Sequence, residues 1–151
     1  AHQCIGQCRH LRGVGGRACR GGRLQDRGAA GTAQGELVAG DHEVVDDAGG
    51  AVEHFRLMCS AIDGDVQSAE GSGATALEEI RQIESGESAY IESDGNAWVT
   101  YITPDKVWFE GLYSQGEGGE VSFAQYKLAV ETYVRFLADP KKKPIEVDFP
   151  N

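Results

Sequence analysis

The first 73 residues of this 151-residue chain contain no lysine, proline, asparagine, tyrosine or tryptophan, and a single aromatic, Phe55. A stretch so poor in large apolar side chains has little surface to bury against the entropy of ordering it. Glycine makes this worse, because it loses more backbone freedom on folding than any other residue. Fifteen of the 21 glycines lie in that first part. An independent hydrophobic core is therefore not expected there, and the segment reads as a weakly structured arm. Its bias toward Gly, Ala and Arg is also that of GC-rich DNA read in a frame not selected for protein.

Other scarcities narrow the function. No apolar run approaches the roughly 20 residues that cross a bilayer, so no membrane role is expected. The start, "AHQCIGQCRHLRGV", lacks the apolar stretch of a secretory signal, and a cytoplasmic protein is expected. Cations are few, 14 Lys and Arg against 24 Asp and Glu, for a net charge of −10. Nucleic acid is thus not expected as the main partner, because phosphate binding needs clustered cations. The acidic balance suits solubility or a basic protein partner equally well.

The motifs of the first part carry little chemistry. "GVGGRA" matches G-x-G-x-x-A at Gly13, Gly15 and Ala18, but the preceding "CRHLR" is no buried strand, and the dinucleotide fingerprint works only after one. Cys4, Cys8, His10 and Cys19 have a spacing that fits no familiar structural zinc pattern. No metal and no other cofactor is expected. "CRGGR" resembles the Arg-Gly boxes of RNA-binding tails without the aromatics on which bases stack. "DGDVQSAE" opens like a calcium loop but lacks the glycine at the sixth position and the glutamate at the twelfth. No pairing of His2, His10, His42 or His54 with a cysteine follows from the sequence, so no nucleophile is assigned. The best local structure is "DDAGGAVEHFRLMCSAI". Asp46 or Asp47 caps an expected helix over 47–62, with Val52, Phe55, Cys59 and Ile62 on one stripe. "ELVAGDHEVV" before it suits a bent strand pair or a turn, and residues 63–73 read as a linker.

After Gly73 the composition changes. Residues 74–151 hold all the lysines and prolines and every aromatic but Phe55. "TALEEIRQIESG" predicts a short helix capped by Thr75 and stopped at Gly86. "SAYIES", "AWVTYIT" and "KVWFEGLYS" predict three strands, with Asp94-Gly95 and Pro104-Asp105 in the turns. In that register Ile91, Trp98, Thr100, Ile102, Val107 and Phe109 share one face. Tyr90, Val99, Tyr101 and Trp108 share the other. "SFAQYKLAVETYVRFLAD" is the clearest helix, with a Ser122/Gln125 capping box and a stop at Asp139-Pro140. "PIEVDFP" alternates as a half-exposed strand does. The expected fold class is α+β: a 1–73 segment, then a 74–151 domain of order α-β-β-β-α-β, a three-stranded antiparallel meander and a C-terminal strand packed by one long and one short helix.

The acidic residues Glu92, Asp94, Glu110, Glu117 and Glu120 fall near the strand ends and the "SQGEGGE" loop. No histidine follows residue 54 to pair with them as an acid–base couple, so a solvated acidic rim is expected. "YIESDGNAWVTYITPDKVWFEGLYS" followed by "VSFAQYKLAVETYVRFLADP" resembles small bacterial immunity-type proteins and the orphan reading frames of mobile gene cassettes, over residues 75–150. That resemblance implies an acidic protein that binds and blocks a basic enzyme and has no catalysis of its own.

Binding rather than catalysis is the expected role. Tyr90, Tyr101, Trp108 and Glu110 are the candidate ligand- or partner-binding residues. The alternative is a small-ligand binder or minor enzyme with an apolar pocket under the sheet, ringed by those residues. The apolar patch of Tyr90, Val99, Tyr101 and Trp108 also predicts a homodimer.

Overall fold

The computed structural model describes residues 35–40 and 42–150. The cysteine–histidine cluster at Cys4–Cys19, the "GVGGRA" glycines and the "CRGGR" box lie outside the described residues.

Two antiparallel sheets and three α-helices make an α+β fold. The first sheet has the order β2-β1-β7, from β1 (Gly35–Ala39), β2 (Glu43–Val45) and β7 (Ile145–Phe149). The second is a meander of β3 (Ile91–Asp94), β4 (Trp98–Ile102), β5 (Lys106–Gly111) and β6 (Glu117–Ser122). The helices are α1 (Arg56–Asp65), α2 (Ser72–Ser85) and α3 (Phe123–Ala138).

The core crosses the change of composition at Gly73. Leu37, Val38 and Ala39 are fully buried, and β1 pairs with the far end of the chain, Leu37 opposite Val147 and Gly35 opposite Phe149. Leu37, Phe55 and Met58 belong to the same apolar cluster as Phe109, Val130 and Phe149. Phe55 meets Phe149 edge-on at 4.9 Å, a preferred aromatic geometry. "ELVAGDHEVV" is the strand pair, Leu37 facing Val44.

The helix expected over 47–62 is displaced. Asp46 accepts the N–H groups of Ala48 and Gly50, and Gly49 takes φ +83. Its carboxylate therefore closes a turn instead of capping a helix. Ala51 bridges back to Val45, a 3-10 turn covers Glu53–Phe55, and α1 runs on to Asp65, into the stretch expected to be linker. Helix α2 begins at Ser72, a turn before Thr75, whose hydroxyl donates to the Gly71 carbonyl one turn back. Gly86 closes it in the left-handed region, as expected. The capping box of α3 has both of its bonds: Ser122 Oγ accepts the Gln125 N–H at 3.1 Å, and Gln125 Oε1 accepts the Ser122 N–H at 2.8 Å.

The meander gains a fourth strand where a loop was expected. β6 carries Gly118 and Gly119, both at positive φ, and such glycines normally break a strand pattern. Here they form a β-bulge: Val107 pairs Val121 and Phe109 pairs Gly118, so β6 holds one residue more than β5 across that interval. Leu57 of α1 fills the space a side chain at Gly119 would need, since a Cβ there would lie 2.6 Å from Leu57 Cβ. The glycine is where the helix meets the sheet.

Candidate functional site

The hairpin register builds the site. Asp94 is opposite Val99, Ile91 opposite Ile102, and Tyr101 opposite Trp108. Because side chains alternate across a strand, Trp98, Ile102, Val107 and Phe109 turn inward and are buried. The outward set begins with Tyr90, half exposed at 51%. Tyr101 and Trp108 are half-buried beside it. Val99, also outward, is buried.

These aromatics form a ladder across the strands. Tyr101 and Trp108 stack with ring centroids 5.4 Å apart and planes 10° from parallel, and Tyr90 lies 6.5 Å from each. Carboxylates hold the phenols. The Tyr101 hydroxyl donates to Glu110 Oε1 at 2.6 Å, and the Tyr90 hydroxyl donates to Glu92 Oε2 at 3.2 Å. The Glu110 bond is the largest cause that pushes the Tyr101 pKa up to about 12. Tyr90 is shifted up as well, by desolvation first and then by Glu92. Both phenols stay protonated and keep donating across the neutral range. The structure thus brings together Tyr90, Tyr101, Trp108 and Glu110, the residues singled out in the sequence.

The bulge opens the surface beside Trp108. Tyr101, Trp108, Phe109, Glu110, Glu117 and Gly118 line a shallow depression of about 390 Å³. A Cβ at Gly118 would meet nothing within 4 Å. Glu117 faces Glu110 across β5 and β6, a like-charge pair that is unfavourable when left alone. No Lys or Arg among the described residues forms a salt bridge with Glu92, Glu110 or Glu117. Lys106 does occupy the neighbouring position: its Nζ lies 5.4 Å from the Trp108 ring centroid and 2.8 Å from Glu120 Oε2.

The expected acidic rim is thus divided. Glu92, Glu110, Glu117 and Glu120 lie in the strands of the aromatic-bearing sheet, whereas Asp94 lines a different cleft, between the helices and the hairpin. That inner cleft is polar and is not ringed by Tyr90, Tyr101 and Trp108. Sequence reasoning missed Lys106 and the Gly118-Gly119 bulge; the charge and the paired glycines were visible, but not the register that puts them beside Trp108. Among the described residues, no group of His, Cys, Asp and Glu is placed to hold a metal ion, and no helix is long and apolar enough to cross a membrane. The chain matches no protein-family model, no curated protein and no solved structure.

Proposed function

We propose that this chain is a non-enzymatic protein-binding module whose acidic, aromatic sheet face takes a lysine- or arginine-bearing segment of a basic partner, as the resemblance to immunity-type proteins implies. The observation that carries this reading is the Lys106–Trp108–Glu120 arrangement. One ammonium already sits over the indole and against a carboxylate, a contact worth about 0.5–1 kcal/mol at an exposed site and more when water is excluded. The adjoining Tyr90–Tyr101 part of the ladder offers the same chemistry with Glu92, Glu110 and Glu117, which have no salt-bridge partner among the described residues. An arginine entering there gains a stacking plane and a carboxylate, and relieves the Glu110–Glu117 repulsion.

Charge also chooses between occupants of the patch. A twofold dimer through this face would oppose two copies of Glu92, Glu110 and Glu117. A basic partner meets no such repulsion.

Calorimetry with a ten-residue arginine–glycine peptide, and with its glutamate counterpart, tests the reading. The arginine peptide is expected to bind, with affinity falling as salt rises and at least tenfold on Tyr101→Ala or Glu110→Lys; the glutamate peptide is expected not to bind. Equal binding by the Glu110→Lys variant would remove the proposal. So would a concentration-dependent dimer of the free chain that Trp108→Glu dissociates, which would assign the face to a second copy.

A further inference from the structure

On the other side of the same sheet, α1, α2 and the β3–β4 hairpin enclose a cleft of about 280 Å³. Asp65 comes from the end of α1, Glu79 from α2, Ser93 and Asp94 from β3, Thr100 from β4 and Tyr126 from α3. The apolar part of the wall is Ala61, Ile62, Val66 and Ala76.

Part of this is explained by folding. Asp65 Oδ1 accepts the Ala97 N–H at 2.9 Å, and a Cβ at Gly95 would lie 1.9 Å from Asp65 Oδ2. Asp65 therefore seats the hairpin turn. Glu79 and Tyr126 are not explained in this way. Glu79 Oε1 accepts the Ser93 hydroxyl at 2.9 Å, which leaves its other oxygen unassigned. Tyr126 is 4% exposed and lines the cleft. Its hydroxyl takes part in no side-chain hydrogen bond among the described residues, and it is not one of the sealed unpartnered atoms of the core, so it is open to whatever occupies the cleft. Among the described residues no lysine or arginine lines the cleft, and none supplies a counter-ion to Asp65, Glu79 or Asp94 there.

We propose that this cleft binds a small organic cation, an ammonium or guanidinium group on a short carbon chain, with Glu79 as the counter-charge, the Tyr126 hydroxyl as a further polar contact and the Ile62–Val66–Ala76 wall against the methylenes. The electrostatics agree. Burial raises the pKa of both Asp65 and Glu79, with hydrogen bonds from the Ala97 backbone and Ser93 opposing it. Burial first, then the Glu79 and Asp65 charges, raises that of Tyr126. Partial burial makes the charged form of Asp65 and of Glu79 less favourable, and a bound ammonium offsets that cost. A bare metal ion fits less well, because the acids are not grouped to coordinate one, and metal ligation gives the apolar wall nothing to do.

The test is a titration of the full chain with 1,4-diaminobutane and with agmatine, using 1,4-butanediol as the neutral isostere and calcium chloride as the metal arm. The amines are expected to saturate in about the micromolar-to-millimolar range, and the diol not to bind. Amide shifts in wild-type protein are expected at Ser93, Thr100 and Tyr126. Glu79→Gln keeps an acceptor for Ser93 but removes the charge, and is expected to weaken amine binding at least tenfold. Glu110→Gln, on the opposite face, is expected to leave the amine-induced shifts of Ser93, Thr100 and Tyr126 in place, which separates this site from the outer one. Amine shifts confined to Trp108 and Glu110, undiminished binding by Glu79→Gln, preferential calcium binding, or no saturation would each overturn the proposal. The wild-type shift map decides the matter even where the variant fails to fold.

Discussion

His42 is a buried titratable side chain that serves neither proposed site. It sits at φ +45, 5% exposed, its ring 4.2 Å from that of Tyr133, and neither ring nitrogen has a hydrogen-bond partner among the described residues. Burial lowers its pKa to about 4, with the Asp63 charge opposing that shift; Asp63 itself accepts the Tyr133 hydroxyl at 3.1 Å. Since the folded pKa is below the unfolded value of 6.5, the unfolded chain takes up the proton first as pH falls. Stability from this group is complete above pH 6.5 and is lost progressively toward pH 4, by roughly 2–3 kcal/mol. Urea unfolding at pH 7.5 and pH 4.5 should show that loss in wild type, and His42→Asn, which tolerates the positive φ, should lack this part of it. Equal pH dependence in the two proteins would mean that the imidazole is not buried. Gly119 offers a second single-residue test. At φ +61 and against Leu57 Cβ, Gly119→Ala should cost about 1–3 kcal/mol, measured by the shift in denaturation midpoint.

Local chemistry made some elements legible and hid others. The Ser122/Gln125 box, the Asp94-Gly95 turn and the alternation of β7 all act within a few residues, so the sequence alone placed α3, the β3–β4 hairpin and the last strand. Ser122→Ala should accordingly cost about 1 kcal/mol, seen in thermal melts, with no change in the sheet. The site residues were legible for the same reason. Once the hairpin turn fixes the register, the period of two puts Tyr101 beside Trp108 and Glu110 within reach of the Tyr101 hydroxyl. What local pattern does not carry is long-range compensation. Glycines at 118 and 119 argue against a strand until Leu57 arrives to need the space, and Gly49-Gly50 turns Asp46 from a helix cap into the corner of a turn. The inner cleft was hidden because Asp65 stands in a glycine- and serine-rich stretch that reads as linker; only the fold brings it to the hairpin.

At the scale of the molecule, the part of the chain that looks least able to fold supplies central pieces of the core. β1 is the middle strand of its sheet and β7 has no other partner in it, while Phe55, Met58 and Ile62 are buried against residues far along the sequence. A chain beginning at Gly73 should therefore show no cooperative thermal transition by circular dichroism. A sharp, native-like melt would mean that the C-terminal part carries its own core. The same arrangement spends the apolar groups of the first part on the interior and leaves the outer face of the four-stranded sheet with stacked aromatics beside carboxylates, of which Glu120 alone has a cation partner among the described residues. The two tryptophans report on that division. Trp98 is buried and Trp108 is half-buried on the outer face, so their indole N–H resonances separate core from surface in one spectrum. On titration with the arginine–glycine peptide, the Trp108 indole resonance should move and saturate while that of Trp98 stays in place. A Trp98 shift with a stationary Trp108, or no shift of either, would contradict the assignment of this face as the binding surface.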